Sequence, residues 1–183
     1  MPIFLMFMVT HILIIIYSVG THLSEINTIA RTTAVDVKST VSEVGIFGML
    51  FLIMRAYSMG AGTYTGIEAV SNGIPILREP RVETAKKTMK CMAASLAFLA
   101  VGLMLGYLFY GVGHVPGKTL NAVLVEKITS GWGHWGYAFL LLTLISEAVL
   151  LFVAAQTGFL DGPRVLANMA TDRWFPFQFA LLS

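Results

Sequence analysis

Residues 57–80 read YSMGAGTYTGIEAVSNGIPILREP, and the fold turns on how this stretch is interpreted. An apolar run at 46–54 leads into it and predicts a membrane helix. Gly60, Gly62 and Gly66 then fall within seven residues, in the middle of what should be a span. Glycine is poor in a helix interior and permits irregular backbone. Thr63, Tyr64 and Thr65 bring three hydroxyls to the same place, and the carboxylate of Glu68 comes three residues later. Irregular backbone at membrane depth is tolerated only where protein or a water-filled cavity satisfies its polar groups. Secondary transporters bind substrate and coupling ions at such helix breaks. The stretch therefore reads as one wall of a transport site for a small molecule or cation. A small-residue packing face accounts for Gly62 and Gly66, but not for the hydroxyl run or Glu68. The run G-A-G-T-Y-T-G is not a dinucleotide fingerprint, because its last gap is one residue too long and no strand precedes it.

Composition places the rest of the chain in the same setting. Of 183 residues, 56% are hydrophobic and 12% charged, and the mean hydropathy is +0.77. A soluble domain carries about 25% charged residues. The expectation is an all-α transmembrane chain, a single domain over 1–183, in contact with membrane lipid. A net charge of +2 is too small to argue for a nucleic-acid partner. Cys91 is the only cysteine, so no internal disulfide forms, and no metal-ligand spacing occurs. Ser-His-Asp, His-Glu-x-x-His and paired-cysteine arrangements do not occur either. An enzyme, a metal and a cofactor are therefore not expected. Residues 1–19 are apolar but lack a basic region before the run, which argues against a cleaved signal peptide.

The apolar runs predict about four spans. Residues 2–19 are long enough for one crossing at about 1.5 Å per residue. Residues 20–44 carry Glu25, Arg31, Asp36, Lys38 and Glu43 among threonines, which suits a solvated connection with room for a short surface helix. The second span, 45–74, exceeds the usual ~20 residues, as two half-helices joined near 60–65 would. Residues 76–90 are the most charged stretch and read as a cytoplasmic loop, with a lipid-binding basic helix as the other reading. Residues 91–113 form a third span, in which Ala97, Gly102 and Gly106 suit close helix packing. Residues 114–133 read as a loop, and Trp132, Trp135 and Tyr137 as an interfacial aromatic belt. Residues 135–160 form the fourth span, and the tail 161–183 opens on a Gly162-Pro163 break. Seven cations lie in 76–90 and the tail, namely Arg78, Arg81, Lys86, Lys87, Lys90, Arg164 and Arg173. Four lie in the other loops, Arg31, Lys38, Lys118 and Lys127. The bias puts 76–90 and the tail in the cytoplasm.

Besides Glu68, a histidine, an arginine and a glutamate fall inside spans. His11 reads more simply as a histidine bonded to a neighbouring helix than as a proton relay. Arg55 and Glu147 each cost about 2.5–3.5 kcal/mol on insertion scales. Pairing would reduce that cost, so an Arg55–Glu147 ion pair is expected as one solution, and a water-filled cavity facing Glu147 as the other.

The segments GAGTYTGIEAVSN and ILREPRVETAKKTMK together resemble the sixth transmembrane segment and adjoining cytoplasmic loop of amino acid–polyamine–organocation (APC) superfamily permeases. AAQTGFLDGPRVLANMATDRWFP resembles the end of their eighth segment, and GKTLNAVLVEKI the loop between their seventh and eighth. The resemblance implies a five-plus-five inverted-repeat, LeuT-like transporter fold in which segments one and six are broken. This chain would supply segments five to eight as a fragment, with the remaining segments of the full-length transporter as its partners. The form GTYTGIEAVSN with REPRV is close to amino acid permeases and similar to KUP-like potassium–proton symporters. The resemblance implies a proton-coupled amino acid permease of the plasma membrane working by alternating access, with potassium–proton symport as the alternative. A non-transporting membrane scaffold or accessory subunit is the alternative from another class. In the transporter reading Gly60, Gly62 and Gly66 open the backbone, the three hydroxyls join freed carbonyls around a cationic group, and Glu68 tunes charge or carries the proton.

Overall fold

The computed structural model describes residues 2–60, 70–71, 73–74 and 77–180, without the side chains of Thr157, Leu160 and Asp161. Every regular element among the described residues is helical. Helix α1 covers Pro2–Thr21, a 3-10 turn Leu23–Glu25, α2 Ile26–Gly60, α3 Arg81–Phe109, α4 Leu120–Thr129 and α5 Gly133–Thr171, with a final 3-10 turn at Phe177–Ala180. Among the described residues, four segments are long and apolar enough to cross a membrane: Pro2–Thr21, Leu23–Gly60, Arg81–Phe109 and Gly133–Gln156. The chain is that of an all-α membrane protein.

Helix α1 is the hub. It packs along α5 on one side and α3 on the other, and the short α4 closes the end of the group against α5. Where α1 meets α3 the helices come close because α3 carries glycine. A Cβ on Gly102 would stand 2.5 Å from Ile15 Cδ1, and one on Gly106 3.2 Å from a Leu124 methyl. Small residues let backbones approach in this way inside a membrane, where apolar side chains gain nothing over lipid. The core at the α4 end gathers Ile14, Leu124, Val125 and Ile128, with Leu103, Tyr107 and Phe139 against them.

The structure departs from the sequence reading in four connections. The polar stretch 20–44 is helical almost throughout, as the 3-10 turn and the first half of α2. It contains no proline, and Thr32, Ser39, Thr40 and Ser42 tuck their hydroxyls back onto the helix, as in Thr32 to the Thr28 carbonyl at 3.1 Å and Thr40 to that of Asp36 at 2.8 Å. The expected boundary at 45 survives as a kink, because Gly45 takes φ 73°, ψ 168°. Only glycine enters that region readily.

The expected loop 114–133 contains α4. Thr119 caps it, accepting from Ala122 N at 3.1 Å, and Lys127 near its end donates to the carbonyls of Tyr110 and Gly111 at 2.8 and 2.9 Å. The cap satisfies a donor at the start of this ten-residue helix, and the lysine ties its other end to carbonyls that follow α3. The Gly162-Pro163 pair does not end the helix of the fourth span. Helix α5 continues through Pro163 to Thr171, and the final 3-10 turn packs back on it. The charged stretch 76–90 likewise becomes helical from Arg81 onward, with Pro80 just before the first turn.

Candidate functional site

Of the residues expected at the helix break, Gly60 is described. It is the last residue of α2 and lines a cavity of about 1160 Å³ together with Phe4, Phe7 and Met8 of α1 and Thr84, Lys87 and Cys91 of α3. Gly62, Thr63, Tyr64, Thr65, Gly66 and Glu68 lie outside the described residues.

The expected Arg55–Glu147 pair is not made. Arg55 stands exposed on α2, a helix without a buried residue among those described. Glu147 instead points at α1, where Oε1 lies 3.0 Å from His11 Nε2. The physical reason is position: α5 runs along α1, whereas α2 makes its main contact with the 3-10 turn that precedes it. His11 is thus bonded to a neighbouring helix, and its partner is ionisable.

The pair is the centre of a four-residue network. Asn121 of α4 donates from Nδ2 to the same Glu147 Oε1 at 3.2 Å. Tyr107 of α3 donates its hydroxyl to Asn121 Oδ1. That bond orients the amide, so that the donor end faces the carboxyl group. On the other side of the imidazole, His11 Nδ1 lies 2.8 Å from the carbonyl oxygen of Phe7, one turn back. Four elements of the fold are therefore tied through one polar chain, with α1, α5, α4 and α3 contributing one side chain each.

Burial is uneven along this chain. His11 is 1% exposed and Glu147 16%. Among the described residues, Oε1 carries all the hydrogen bonds of the carboxyl group. Oε2 is left open on the less buried side. Thr143 and Ser146, one on each side of a turn of α5 next to Glu147, are fully buried but satisfy their hydroxyls on the carbonyls of Phe139 and Thr143. Sequence reasoning flagged His11 and Glu147 separately, from the expense of ionisable groups in a span. It missed Asn121 and Tyr107. The available signal was a threonine cap at 119 before an apolar run, which marks a helix start and would have placed Asn121 inside a packed element.

No family model and no solved structure matches this chain. A curated relative does. The chain is 33% identical over 132 residues to the potassium transporter KimA of Bacillus subtilis (strain 168), a match covering 72% of this chain and 21% of the relative. The chain spans about a fifth of the length of that relative.

Proposed function

We propose that this chain is part of a potassium transporter, a secondary transporter in which potassium moves with a proton by alternating access. The observation that carries the reading is the 33% identity to a potassium transporter. It favours potassium over the amino acid solute expected from the wider superfamily. The chemistry of 60–68 supports the same solute. At a glycine break, the hydroxyls of Thr63, Tyr64 and Thr65 and the freed carbonyls would give an oxygen-rich lining, and oxygen ligands of that kind replace the hydration shell of a bare cation. The negative end of a half-helix dipole adds to the attraction.

In this reading the four spans are segments five to eight of a five-plus-five fold in the plasma membrane. The cation site is completed by segments of the full-length protein that lie outside this chain. Gly60, Gly62 and Gly66 open the backbone, and Glu68 carries or tunes a proton.

The test uses the full-length protein that contains this chain, reconstituted in vesicles. Rubidium uptake should depend on an inward proton gradient and be competed by potassium. Thr63→Val keeps shape but loses a hydroxyl, and should lower uptake sharply. Uptake of an amino acid without rubidium would replace potassium with the amino acid reading. A folded protein that moves neither solute would be a scaffold or accessory subunit.

A further inference from the structure

We propose that His11 and Glu147 form a site for one exchangeable proton, held between Nε2 and Oε1 where α1 meets α5. The inference rests on the geometry of this chain and goes beyond the transport reading, since it holds whichever solute is carried.

The geometry is decided first at the far nitrogen of the imidazole. Nδ1 faces the Phe7 carbonyl at 2.8 Å, and a carbonyl oxygen only accepts. The second oxygen near Nδ1 is the Thr10 hydroxyl at 3.4 Å, which itself donates to the Phe7 carbonyl at 3.0 Å. Nδ1 therefore carries a hydrogen. In neutral imidazole the other nitrogen is then bare and can only accept. A carboxylate oxygen is also acceptor-only. Two bare acceptors do not sit 3.0 Å apart in a buried contact, so a proton lies between Nε2 and Oε1. The pair is either imidazolium with carboxylate or imidazole with carboxylic acid. Both forms hold one proton in the contact, and both have a net charge of zero.

Zero net charge is what a membrane interior favours, since an uncompensated charge there is expensive. The packing of α5 along α1, which gives Glu147 a histidine and not Arg55, has a chemical consequence. An arginine–glutamate pair has to stay ionised, whereas this one need not.

The site is built to exchange. Release of the proton leaves imidazole and carboxylate, with a net charge of minus one and two lone pairs facing each other. Asn121 Nδ2 keeps donating to Oε1 in that state and compensates part of the loss, with its amide held in register by Tyr107. Of the two partners Glu147 is the more accessible, at 16% against 1% for His11, so a proton reaches the contact from its open Oε2 side. Tyr107 is the titratable group facing the pair from α3, through Asn121, and α4 contributes Asn121 alone. Among the described residues no other charged side chain pairs with either partner. Loss of the proton sets α1 and α5 against each other at their contact, so proton occupancy is linked to how closely these two helices pack. Asn121 and Tyr107 are positioning residues in this scheme.

The test is spectroscopic and uses the full-length protein in lipid, with ¹⁵N-labelled histidine. The His11 ring signals are assigned by their loss in His11→Gln. Across a pH series Nδ1 should remain protonated, while Nε2 passes from protonated to bare in the same step in which the infrared carboxylate band of Glu147 appears. That band is identified by its loss in Glu147→Gln, a variant in which the His11 step should move. Asn121→Ala should shift the wild-type step without removing it. Where Glu147→Gln does not fold, Glu147→Asp provides the band shift. A contact that stays protonated at every pH at which the protein is folded is a static hydrogen bond and overturns the proposal. So does finding Nε2 bare and Glu147 ionised throughout. Absence of rubidium uptake in the same preparation would count against the potassium reading and leave these spectra to decide the proton site.

Discussion

Gly102→Ala puts the central helix contact to the test. A Cβ built on Gly102 would stand 2.5 Å from Ile15 Cδ1 and 2.8 Å from both Cγ1 and Cγ2. Those three atoms belong to one β-branched side chain, 6% exposed, between α1 and α3. A branched side chain is stiff at χ1 and has few rotamers to move into, so the helices themselves have to part. Overpacking of this kind costs about 1–3 kcal/mol. The helix gains up to about 1 kcal/mol from replacing glycine with alanine. The net expectation is about 0–2 kcal/mol of destabilisation, or up to about 30-fold in the folding equilibrium at 1.4 kcal/mol per tenfold. Gly20→Ala is the control, since nothing lies within 4 Å of its Cβ, and it should be neutral or slightly stabilising. Gly106→Ala should fall between the two, with its closest approach of 3.2 Å to a Leu124 methyl. Reversible unfolding of the full-length protein in mixed micelles by rising dodecyl sulfate gives the three values side by side. An Ile15→Ala background should abolish the Gly102→Ala penalty, with a coupling of about 1–3 kcal/mol in the double-mutant cycle. If Gly102→Ala and Gly20→Ala unfold alike, and the cycle shows no coupling, α1 and α3 do not meet at this point.

Three further outcomes are expected. Thr119→Ala removes the cap that accepts from Ala122 N and should destabilise α4 by about 1 kcal/mol, read as faster amide exchange at Ala122 and Val123. Gly45→Ala has open space for its Cβ but a backbone at φ 73°, so it should cost about 1–3 kcal/mol or straighten α2. Spin labels placed at Val35 and Tyr57 would show straightening as a longer distance. The exposed Glu83, replaced by cysteine in a background without Cys91, should be shielded from an impermeant thiol reagent outside intact cells, and rapid external labelling would invert the topology.

The spans themselves were legible because each rests on a run of apolar side chains, a signal that needs no knowledge of neighbours. The helix boundaries outside the apolar runs were less so. In 20–44 the charges and threonines were weighed as solvation, although each threonine can return its hydroxyl to the preceding turn and leave the helix intact. At Gly162-Pro163 the local rule favours a stop, yet one missing N–H does not end a helix that is held at both ends by packing against α1 and the final 3-10 turn. Helix α4 is short, and its apolar residues at 120, 123–125 and 128 are a weaker signal than Pro116 and Gly117 just ahead of it and Gly131 just after it.

The network shows what kind of information a sequence withholds. The expense of burying Glu147 is a property of one residue in one span, and it is readable from the chain alone. Which partner meets that expense depends on helix order in space, and there were two candidates in other spans, Arg55 and His11. Charge complementarity favours arginine, but helix α5 lies along α1, and α1 presents His11 there. The difference has chemical consequences. An arginine partner would fix Glu147 as a permanent anion. A histidine with its Nδ1 hydrogen committed to the Phe7 carbonyl offers a nitrogen that can accept or give up a proton, and the amide of Asn121 remains to hold the carboxylate when it does. The polar groups that make this exchange possible lie on α3 and α4, the second of which stood in an expected loop. Placing a helix there is therefore the step that turns two isolated costly residues into a site.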